Sequence, residues 1–317
     1  MWDGPALVCP TCRRPPNAWP LDSALQCTNS ACGERSPSLT EGIPVVANRA
    51  ARERAEMFDA CGPLPGRGQF AGWLSPFEAE TPGFVSLARA AIFLRAMRAG
   101  YEEPFYAELS DALLRPVDPL AEVLDVGCGA GNLAFELARR TGAHVTGLDL
   151  DAHLLRWAER LRDGGAVDIP VRLDAGHIVP GTLELTDRGG FEQLRFLCSN
   201  LLDPPFEPES FDVVTLVNVL DAVLYPRVAL RQAVALLKPG GHLIFASPDS
   251  WNGATTPRSR WLATTAAGWD RVFAAENLDT VTRVDDLEWR LQDTPRLHHL
   301  YRVHGRLLRK ADAEVVR

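Results

Sequence analysis

The residues best suited to chemistry lie in one glycine-rich turn, residues 123–132, which read VLDVGCGAGN. An apolar run leads into three glycines at alternate positions, Gly127, Gly129 and Gly131. Glycine tolerates a positive φ and lets backbone N–H groups approach a ligand closely. Asp149 ends the next apolar run, where a carboxylate can accept hydrogen bonds from both hydroxyls of a ribose. The turn therefore predicts a nucleoside-binding loop between a strand and a helix.

The spacing within this loop discriminates between two classes of ligand. A dinucleotide fold uses Gly-x-Gly-x-x-Gly, which brings a pyrophosphate to the helix N-terminus. Here the third glycine comes one residue early, and Asn132 occupies the later position. Asp125, two residues before the first glycine, would repel a pyrophosphate but attract the cationic amino-acid end of S-adenosylmethionine. The loop therefore favours the sulfonium cofactor.

Short apolar runs alternate with helical patterns from residue 121 onward, as is typical of strands buried on both faces of a parallel sheet. We predict a doubly wound α/β fold, in which residues 163–193 form an insertion rich in glycine and proline. Upstream, residues 86–115 predict two helices broken near Gly100 and Pro104. The predicted elements are strands at 123–126, 143–148, 194–198, 211–217 and 242–246, helices at 131–140, 152–162 and 227–237, and two further strands over 278–309 around a turn at 293–295.

Residues 100–250 resemble the class I S-adenosylmethionine-dependent methyltransferases, because the loop from Asp125 to Gly131 and the acid Asp149 match that family. The resemblance implies a Rossmann-like sheet of seven strands. The family's adenine-contacting acid falls on Asn200, a departure that keeps a hydrogen-bonding group but removes the charge. The cofactor is therefore expected to contact Asp125, Gly127, Cys128, Gly129, Gly131, Asn132, Asp149, Leu150, Asn200, Leu201 and Asn218.

Two cysteine pairs lie near the start of the chain. Cys9 and Cys12 are followed, after fourteen residues, by Cys27 and Cys32, a spacing that can place four thiolates around one Zn²⁺. Four protein ligands leave no open position, so the predicted zinc is structural. So small a module has too little core to fold without such a metal. The module resembles the zinc ribbon that begins ribosomal RNA guanine-N1 methyltransferases, which leaves an RNA base as an alternative acceptor.

Two polar residues, Asn218 and Asp221, follow the fourth predicted strand inside an apolar run. The carboxyl ends of strands are where open α/β sheets bind ligands, so both are candidate catalytic residues. An amide and a carboxylate suit an imidazole acceptor, since the carboxylate can accept the ring N–H and stabilise the charge that develops on methylation. The alternative is that Asp221 only caps a helix beginning near Leu224 and Asn218 closes a turn.

The stretch from Asn218 to Asp221 also resembles the Asn-Leu-Ile/Leu-Asp motif of enzymes that methylate imidazole nitrogens, including the mercaptohistidine N-methyltransferases of ovothiol synthesis. Scattered matches to the latter group run over residues 120–309. Ala222 stands where that group often has arginine. Three aromatic residues either wall a pocket for a flat acceptor or belong to the core: Trp251, Trp261 and Tyr301.

The composition limits the class of partner. The chain has 317 residues and a net charge of −8, with no basic surplus, which disfavours nucleic acid as a partner. It contains no run of 18 apolar residues and does not begin like a secretory signal, so we expect no membrane partner and a cytoplasmic location. We predict a zinc-ribbon module over residues 1–48, a linker and helical cover over 49–115, and a methyltransferase domain over 116–317.

These patterns together predict an S-adenosylmethionine-dependent methyltransferase that modifies nitrogen on a small heteroaromatic or histidine-like molecule. An RNA base methyltransferase and a catalytically silent partner subunit are the two alternatives. The sequence carries no signal for the oligomeric state.

Overall fold

The structure is a computed structural model, and it describes most of the chain from residue 104 onward together with short stretches before residue 47. The helix predicted before Gly100 lies outside the described residues, whereas the one after Pro104 is present. The described residues are 2, 4–10, 12, 19–22, 25–32, 38–40, 43–46, 104–115, 117–174, 178–185, 189–251 and 256–312.

The described chain contains eleven strands and five α-helices. The strands are β1 (Ser38–Thr40), β2 (Ile43–Val45), β3 (Glu122–Val126), β4 (His144–Asp149), β5 (Val167–Arg172), β6 (Ile178–Leu183), β7 (Leu194–Cys198), β8 (Phe211–Val217), β9 (Leu237–Ser247), β10 (Leu278–Thr294) and β11 (Leu297–Lys310). The helices are α1 (Phe105–Leu113), α2 (Asn132–Thr141), α3 (Ala152–Arg162), α4 (Pro226–Leu236) and α5 (Ala266–Ala274). None of these helices is long and apolar enough to cross a membrane.

Nine strands form one sheet in the order β1-β2-β7-β4-β3-β8-β9-β11-β10. The strands from β7 to β9 are parallel neighbours, and β9, β11 and β10 are antiparallel. These seven strands confirm the predicted Rossmann-like sheet. The strand order reverses at β3, so the crevice at the carboxyl ends of β3, β4 and β8 is where such a sheet binds ligands.

The sheet continues past β7 into the N-terminal module, which the sequence did not predict. β2 pairs with β7 in parallel through Val45 and Cys198, and β1 pairs with β2 antiparallel. The predicted insertion also differs from expectation, because β5 and β6 form an antiparallel hairpin of their own. Helix α5 was likewise not predicted.

Both faces of the sheet are buried, as the continuous apolar strands indicated. Val123 packs on the side of α1, α2 and α3, whereas its neighbour Leu124 packs on the side of α4 and α5. Neither side chain is exposed. Phe135 of α2 is 1% exposed and meets Phe191 and Phe196 edge to face, with ring centroids 5.0 and 5.9 Å apart.

Phe135→Ala should lower the free energy of unfolding by about 3–5 kcal/mol, because it removes a buried aromatic ring and leaves a cavity. Urea denaturation followed by circular dichroism measures this loss. Leu120, whose side chain is 79% exposed, provides the control. Leu120→Ala should change the free energy by no more than about 0.5 kcal/mol. Equal losses for the two variants would contradict the proposed packing.

Candidate cofactor and acceptor site

The turn from β3 into α2 is built on three glycines with positive φ, 68° at Gly127, 56° at Gly129 and 95° at Gly131. A Cβ at Gly127 would lie 2.6 Å from Val219 Cγ2, and one at Gly131 would lie 2.8 Å from Phe135 Cε2. A Cβ at Gly129 would meet no atom within 4 Å. The first and third glycines are therefore required by packing, while the second faces open space.

The predicted ribose-binding acid lies directly beside this turn. Asp149 Oδ2 accepts a hydrogen bond from the Gly129 N–H at 2.8 Å, and its Oδ1 accepts one from the Asp151 N–H at 2.9 Å. Each carboxylate oxygen has further lone pairs, so ribose hydroxyls can still donate to it. Leu150 follows at the same strand end, and its carbonyl oxygen lies 3.6 Å from the Cys198 thiol.

Asp125 lies beneath the turn and is only 2% exposed. Burial raises the pKa of Asp125 to about 7, and the nearby charge of Asp149 raises it as well. The Thr215 hydroxyl, which donates to Oδ1 at 2.5 Å, acts in the opposite direction and lowers the pKa. A buried carboxyl near neutrality gains charge when a cation arrives, because the cation stabilises the ionised form. The structure therefore suits an electrostatic role of Asp125 toward the cationic end of the cofactor.

Asn132 and Cys128 both belong to the glycine turn, but one forms a hydrogen bond through its side chain and the other packs in the core. The Asn132 side chain bonds to the phenol of Tyr106, whose pKa burial raises to about 12. Burial also raises the pKa of the Cys128 thiol, so this residue is a neutral packing group. Its sulfur lies 3.0 Å from the position that a Cβ of Gly147 would take. The backbone of Cys128 is also engaged within the protein, because its N–H donates to the Leu148 carbonyl at 3.2 Å and its carbonyl accepts from the Gly131 N–H at 2.9 Å.

The predicted adenine-side residues occupy the turn after β7. Asn200 Oδ1 accepts a hydrogen bond from the Leu202 N–H at 3.0 Å, which commits the carbonyl end of the amide to the loop. The NH₂ end is left for a ligand, and it can donate to a ring nitrogen of adenine. Leu201 is 7% exposed and packs in the core beneath the loop.

The segment that carries the candidate acceptor residues meets the glycine turn at Val219, which contacts Gly127. Asn218 adopts a left-handed φ of 57° while its N–H donates to the Ala246 carbonyl at 2.9 Å. Both polar atoms of its side chain are buried without a hydrogen-bond partner in the part of the chain that the structure describes. An unpartnered buried amide is costly, which indicates a place for a ligand.

Asp221 lies in a short 3-10 turn, Leu220–Ala222, and is 6% exposed. Burial raises its pKa to about 6, its own backbone N–H lowers it, and the charge of Asp249 raises it. Helix α4 begins at Pro226 and has no side-chain cap, so the alternative in which Asp221 caps that helix is wrong. Asp221 is a buried carboxyl poised to exchange a proton near neutral pH.

Two groups near Asp221 were not predicted. Asp249 follows β9 and accepts a hydrogen bond from Trp269 Nε1 at 2.9 Å, while its other oxygen lies 3.2 Å from His304 Nε2. Asp249 is at the carboxyl end of a strand, a signal that could have found it. His304 carries no such signal, since only the pairing of β11 with β9 brings it opposite Ser247.

The three predicted pocket aromatics separate into two groups. Trp251 stacks on Trp261 with centroids 5.8 Å apart, and both indole N–H groups donate to backbone carbonyls, of Ala263 and Thr256. These two tryptophans therefore stabilise the segment between β9 and α5 through stacking and hydrogen bonds to its backbone. The pKa of Tyr301 is raised, by burial and then by the charge of Asp221, so its phenol lies near the acceptor residues.

The four cysteines of the module converge. The sulfur atoms of Cys9, Cys12, Cys27 and Cys32 all lie within 4.8 Å of one another, and those of Cys9 and Cys32 are 3.8 Å apart. A tetrahedral site with Zn–S bonds of about 2.3 Å has S···S edges of about 3.8 Å. Asn29 Nδ2 also donates to Cys12 Sγ at 3.4 Å, as expected beside a thiolate. The residues fit a four-thiolate metal site.

Gly129→Ala should weaken binding of S-adenosylhomocysteine by at least about tenfold, or about 1.4 kcal/mol, because its methyl group would project into the ligand space. Gly142→Ala is a matched control, since Gly142 has a φ of 63°, open space around its Cβ position and a place at the far end of α2. Both variants should lose about 1–2 kcal/mol of stability. Isothermal titration calorimetry and urea denaturation measure the two effects, and equal affinities would contradict the placement of the ligand.

Comparison with known proteins agrees with the methyltransferase fold that the glycine turn indicates. Residues 97–311 match a family model described as a methyltransferase domain. A ubiquinone biosynthesis O-methyltransferase of Ralstonia nicotianae is 35% identical over 131 residues, covering 41% of this chain and 44% of that protein. The protein of the same name from Alkalilimnicola ehrlichii is 33% identical over 172 residues, covering 52% of this chain and 60% of that protein.

The chain thus spans about half the length of the curated relatives it matches. Among solved structures, an S-adenosylmethionine-dependent methyltransferase of Methanosarcina mazei aligns with a TM-score of 0.44 and 19% identity, over 62% of this chain and 95% of that chain. The family match covers more than half of the chain and includes the glycine turn. The chain therefore belongs to the methyltransferase-domain family, and it carries an S-adenosylmethionine-dependent methyltransferase domain.

Proposed function

We propose that this enzyme methylates a ring nitrogen of a small imidazole-like molecule at the carboxyl edge of β8. The observation that carries the proposal is the buried amide of Asn218, which has no hydrogen-bond partner among the described residues, in the same short segment as the buried carboxyl of Asp221, where Val219 contacts the glycine turn. An acceptor with one N–H and one basic nitrogen satisfies both groups. The partner is accordingly a small molecule, with neither nucleic acid nor membrane required.

The two residues have different roles, because the amide of Asn218 stays neutral whereas the carboxyl of Asp221 can gain or lose a proton. S-adenosylmethionine supplies the methyl group as an electrophile and leaves as S-adenosylhomocysteine. Asn218 orients the neutral acceptor, whose lone-pair nitrogen needs no strong base. Ionised Asp221 accepts the N–H of the opposite ring nitrogen, stabilises the charge that develops on the ring, and takes its proton. A pKa of about 6 for Asp221 is close to that of imidazole, so this transfer is nearly balanced.

The relatives are named O-methyltransferases, which supports a second candidate, methylation of a hydroxyl oxygen. A hydroxyl must lose its proton to become a good nucleophile, and a histidine beside a carboxylate is a suitable base. The pair of His304 and Asp249 has that composition, with 3.2 Å between Nε2 and Oδ2. An RNA base is supported only by the resemblance of the N-terminal module.

We also propose that the four cysteines hold one structural zinc ion. The convergence of their sulfur atoms supports this, and Zn²⁺ prefers a closed tetrahedron of thiolates in structural sites. Such a metal would stabilise the module, whose described apolar residues Leu7, Leu25 and Val46 pack in the core of the main sheet.

Asp221→Asn should keep the affinity for S-adenosylhomocysteine and lower kcat with imidazole-type acceptors by about 10²-fold, because the amide cannot accept the proton. In the unaltered enzyme kcat should fall as pH drops through about 6, where Asp221 becomes protonated. In the variant only the protonation of the acceptor should remain, so the slope of log kcat against pH below about 6 should fall from about two to about one. Assays of methyl transfer, quenched at fixed times over a series of pH values, measure kcat and its pH dependence. Isothermal titration calorimetry measures the affinity for S-adenosylhomocysteine.

Asp279→Asn is the matched control, because Asp279 is an exposed aspartate on β10 and its replacement should leave the pH profile unchanged. Full turnover of an imidazole acceptor by Asp221→Asn would contradict the role given to the carboxylate. Methylation of hydroxyl-bearing probes such as catechols, but not of imidazoles, by the unaltered enzyme would favour the O-methylation candidate.

Native mass spectrometry should find one zinc ion per chain, because four thiolates satisfy the coordination of a single ion. Cys27→Ser should lose that ion, since three thiolates bind it more weakly. The Cys128→Ser variant serves as control, because Cys128 lies in the glycine turn and not in the cysteine cluster. Metal-free native protein from a zinc-supplemented preparation would refute the site.

A further inference from the structure

The turn after β7, residues 199–206, carries the adenine-side candidates, and we call it the adenosine loop. At its start, Ser199 is 1% exposed, and its hydroxyl donates to the Val46 carbonyl at 2.6 Å. The Val46 N–H in turn donates to the Cys198 carbonyl at 3.0 Å. Val46 of the N-terminal module is therefore hydrogen-bonded both to the first residue of the loop and to the residue just before it.

The module also holds the other end of the adenosine loop. The Val8 N–H donates to the Pro205 carbonyl at 2.9 Å, and Leu7 forms an antiparallel bridge with Phe206. Leu7 is 3% exposed and Phe206 is fully buried. Both ends of the loop are thus fixed by the same module.

The segment that holds the far end is continuous with the cysteine cluster. Cys9 directly follows Val8, and its N–H donates to the Trp19 carbonyl at 2.8 Å. The Leu21 N–H donates to the Leu7 carbonyl at 2.8 Å. A metal held by Cys9 and its partners would therefore fix the position of Leu7 and Val8.

The inner side of the adenosine loop faces the cofactor residues. The Ser199 N–H donates to the backbone carbonyl of Asp149 at 2.9 Å, which connects the loop to the ribose-binding acid. Asn200 closes the loop through its bonds to Leu202 and Asp203. The loop is consequently held between the module on one side and the cofactor edge of the sheet on the other.

We infer that the N-terminal module positions the adenosine loop, so that the module is a structural part of the cofactor site. Ser199 and Val46 are positioning residues in this arrangement, acting through Asn200 and Leu201. The inference depends on cofactor binding at this edge and is independent of the acceptor. It differs from the role of a substrate-docking unit, because the contacts reach the adenosine side of the site.

Ser199→Ala should raise the Kd for S-adenosylhomocysteine about tenfold in isothermal titration calorimetry, which corresponds to about 1.4 kcal/mol, the net value of one buried hydrogen bond. Adenosine alone should lose affinity by the same factor, because the loop contacts only that part of the ligand. Ser199→Thr, which keeps the hydroxyl, should restore binding. A uniform loss of stability without a change in Kd would overturn the inference.

Ser210→Ala is the matched control. The Ser210 hydroxyl also donates to a backbone carbonyl at 2.6 Å, that of Glu207, but both residues lie outside the adenosine loop and outside the module. Its replacement should leave both Kd values unchanged. An equal rise in Kd for both serine variants would show a general effect of lost hydrogen bonds and would refute the positioning role.

A second test uses the full-length protein with and without metal. Removal of zinc with a chelator, verified by mass spectrometry, should raise the Kd for S-adenosylhomocysteine, and added Zn²⁺ should restore it. Far-UV circular dichroism reports whether the main sheet persists. Unchanged affinity in the metal-free protein with an intact sheet would contradict the inference. Failure of the unaltered, metal-loaded protein to bind would instead refute cofactor binding itself.

Discussion

The left-handed turn between β3 and α2 is the constraint on which the rest of the site depends. Gly131 adopts a φ of 95° with Phe135 and Phe196 packed directly against it. On one side the turn donates its Gly129 N–H to Asp149, and on the other it receives Val219. The nucleoside side and the acceptor side that we propose would therefore be two faces of one turn. A shift of its backbone would disturb both at once.

Buried carboxyl groups give the site its second common property. Burial raises the pKa of Asp125 to about 7 and that of Asp221 to about 6. Both values exceed the usual range of aspartate, so protonation of these groups stabilises the fold at low pH, and that contribution is lost as pH rises through 6 and 7. A cation at either position offsets this loss, because it favours the ionised form. A sulfonium cofactor and an acceptor that becomes cationic both match this requirement.

Local patterns were sufficient to predict the parallel core, because each strand is an apolar run whose alternate residues, such as Val123 and Leu124, pack on opposite faces. They also predicted the glycine turn and Asp149, since both lie next to strand ends. They could not predict His304 or the pairing of Val45 with Cys198, because these depend on contacts between distant segments. Of hairpin β5–β6 the sequence indicated only an alternation over residues 182–186, because glycine and proline interrupt the pattern before it.

The extension of the sheet into the N-terminal module has a physical cause. Without the module, β7 would be an exposed edge strand with unpaired backbone groups, which proteins avoid. The module pairs with this edge at its carboxyl end, Cys198, and its residues Leu7 and Val46 are buried against the same core as Leu201. The metal that we propose for the four cysteines would add to this packing, because ligand bonds to a structural metal contribute directly to the free energy of folding. Pairing with this end of β7 and fixing the adenosine loop are then consequences of a single docking arrangement.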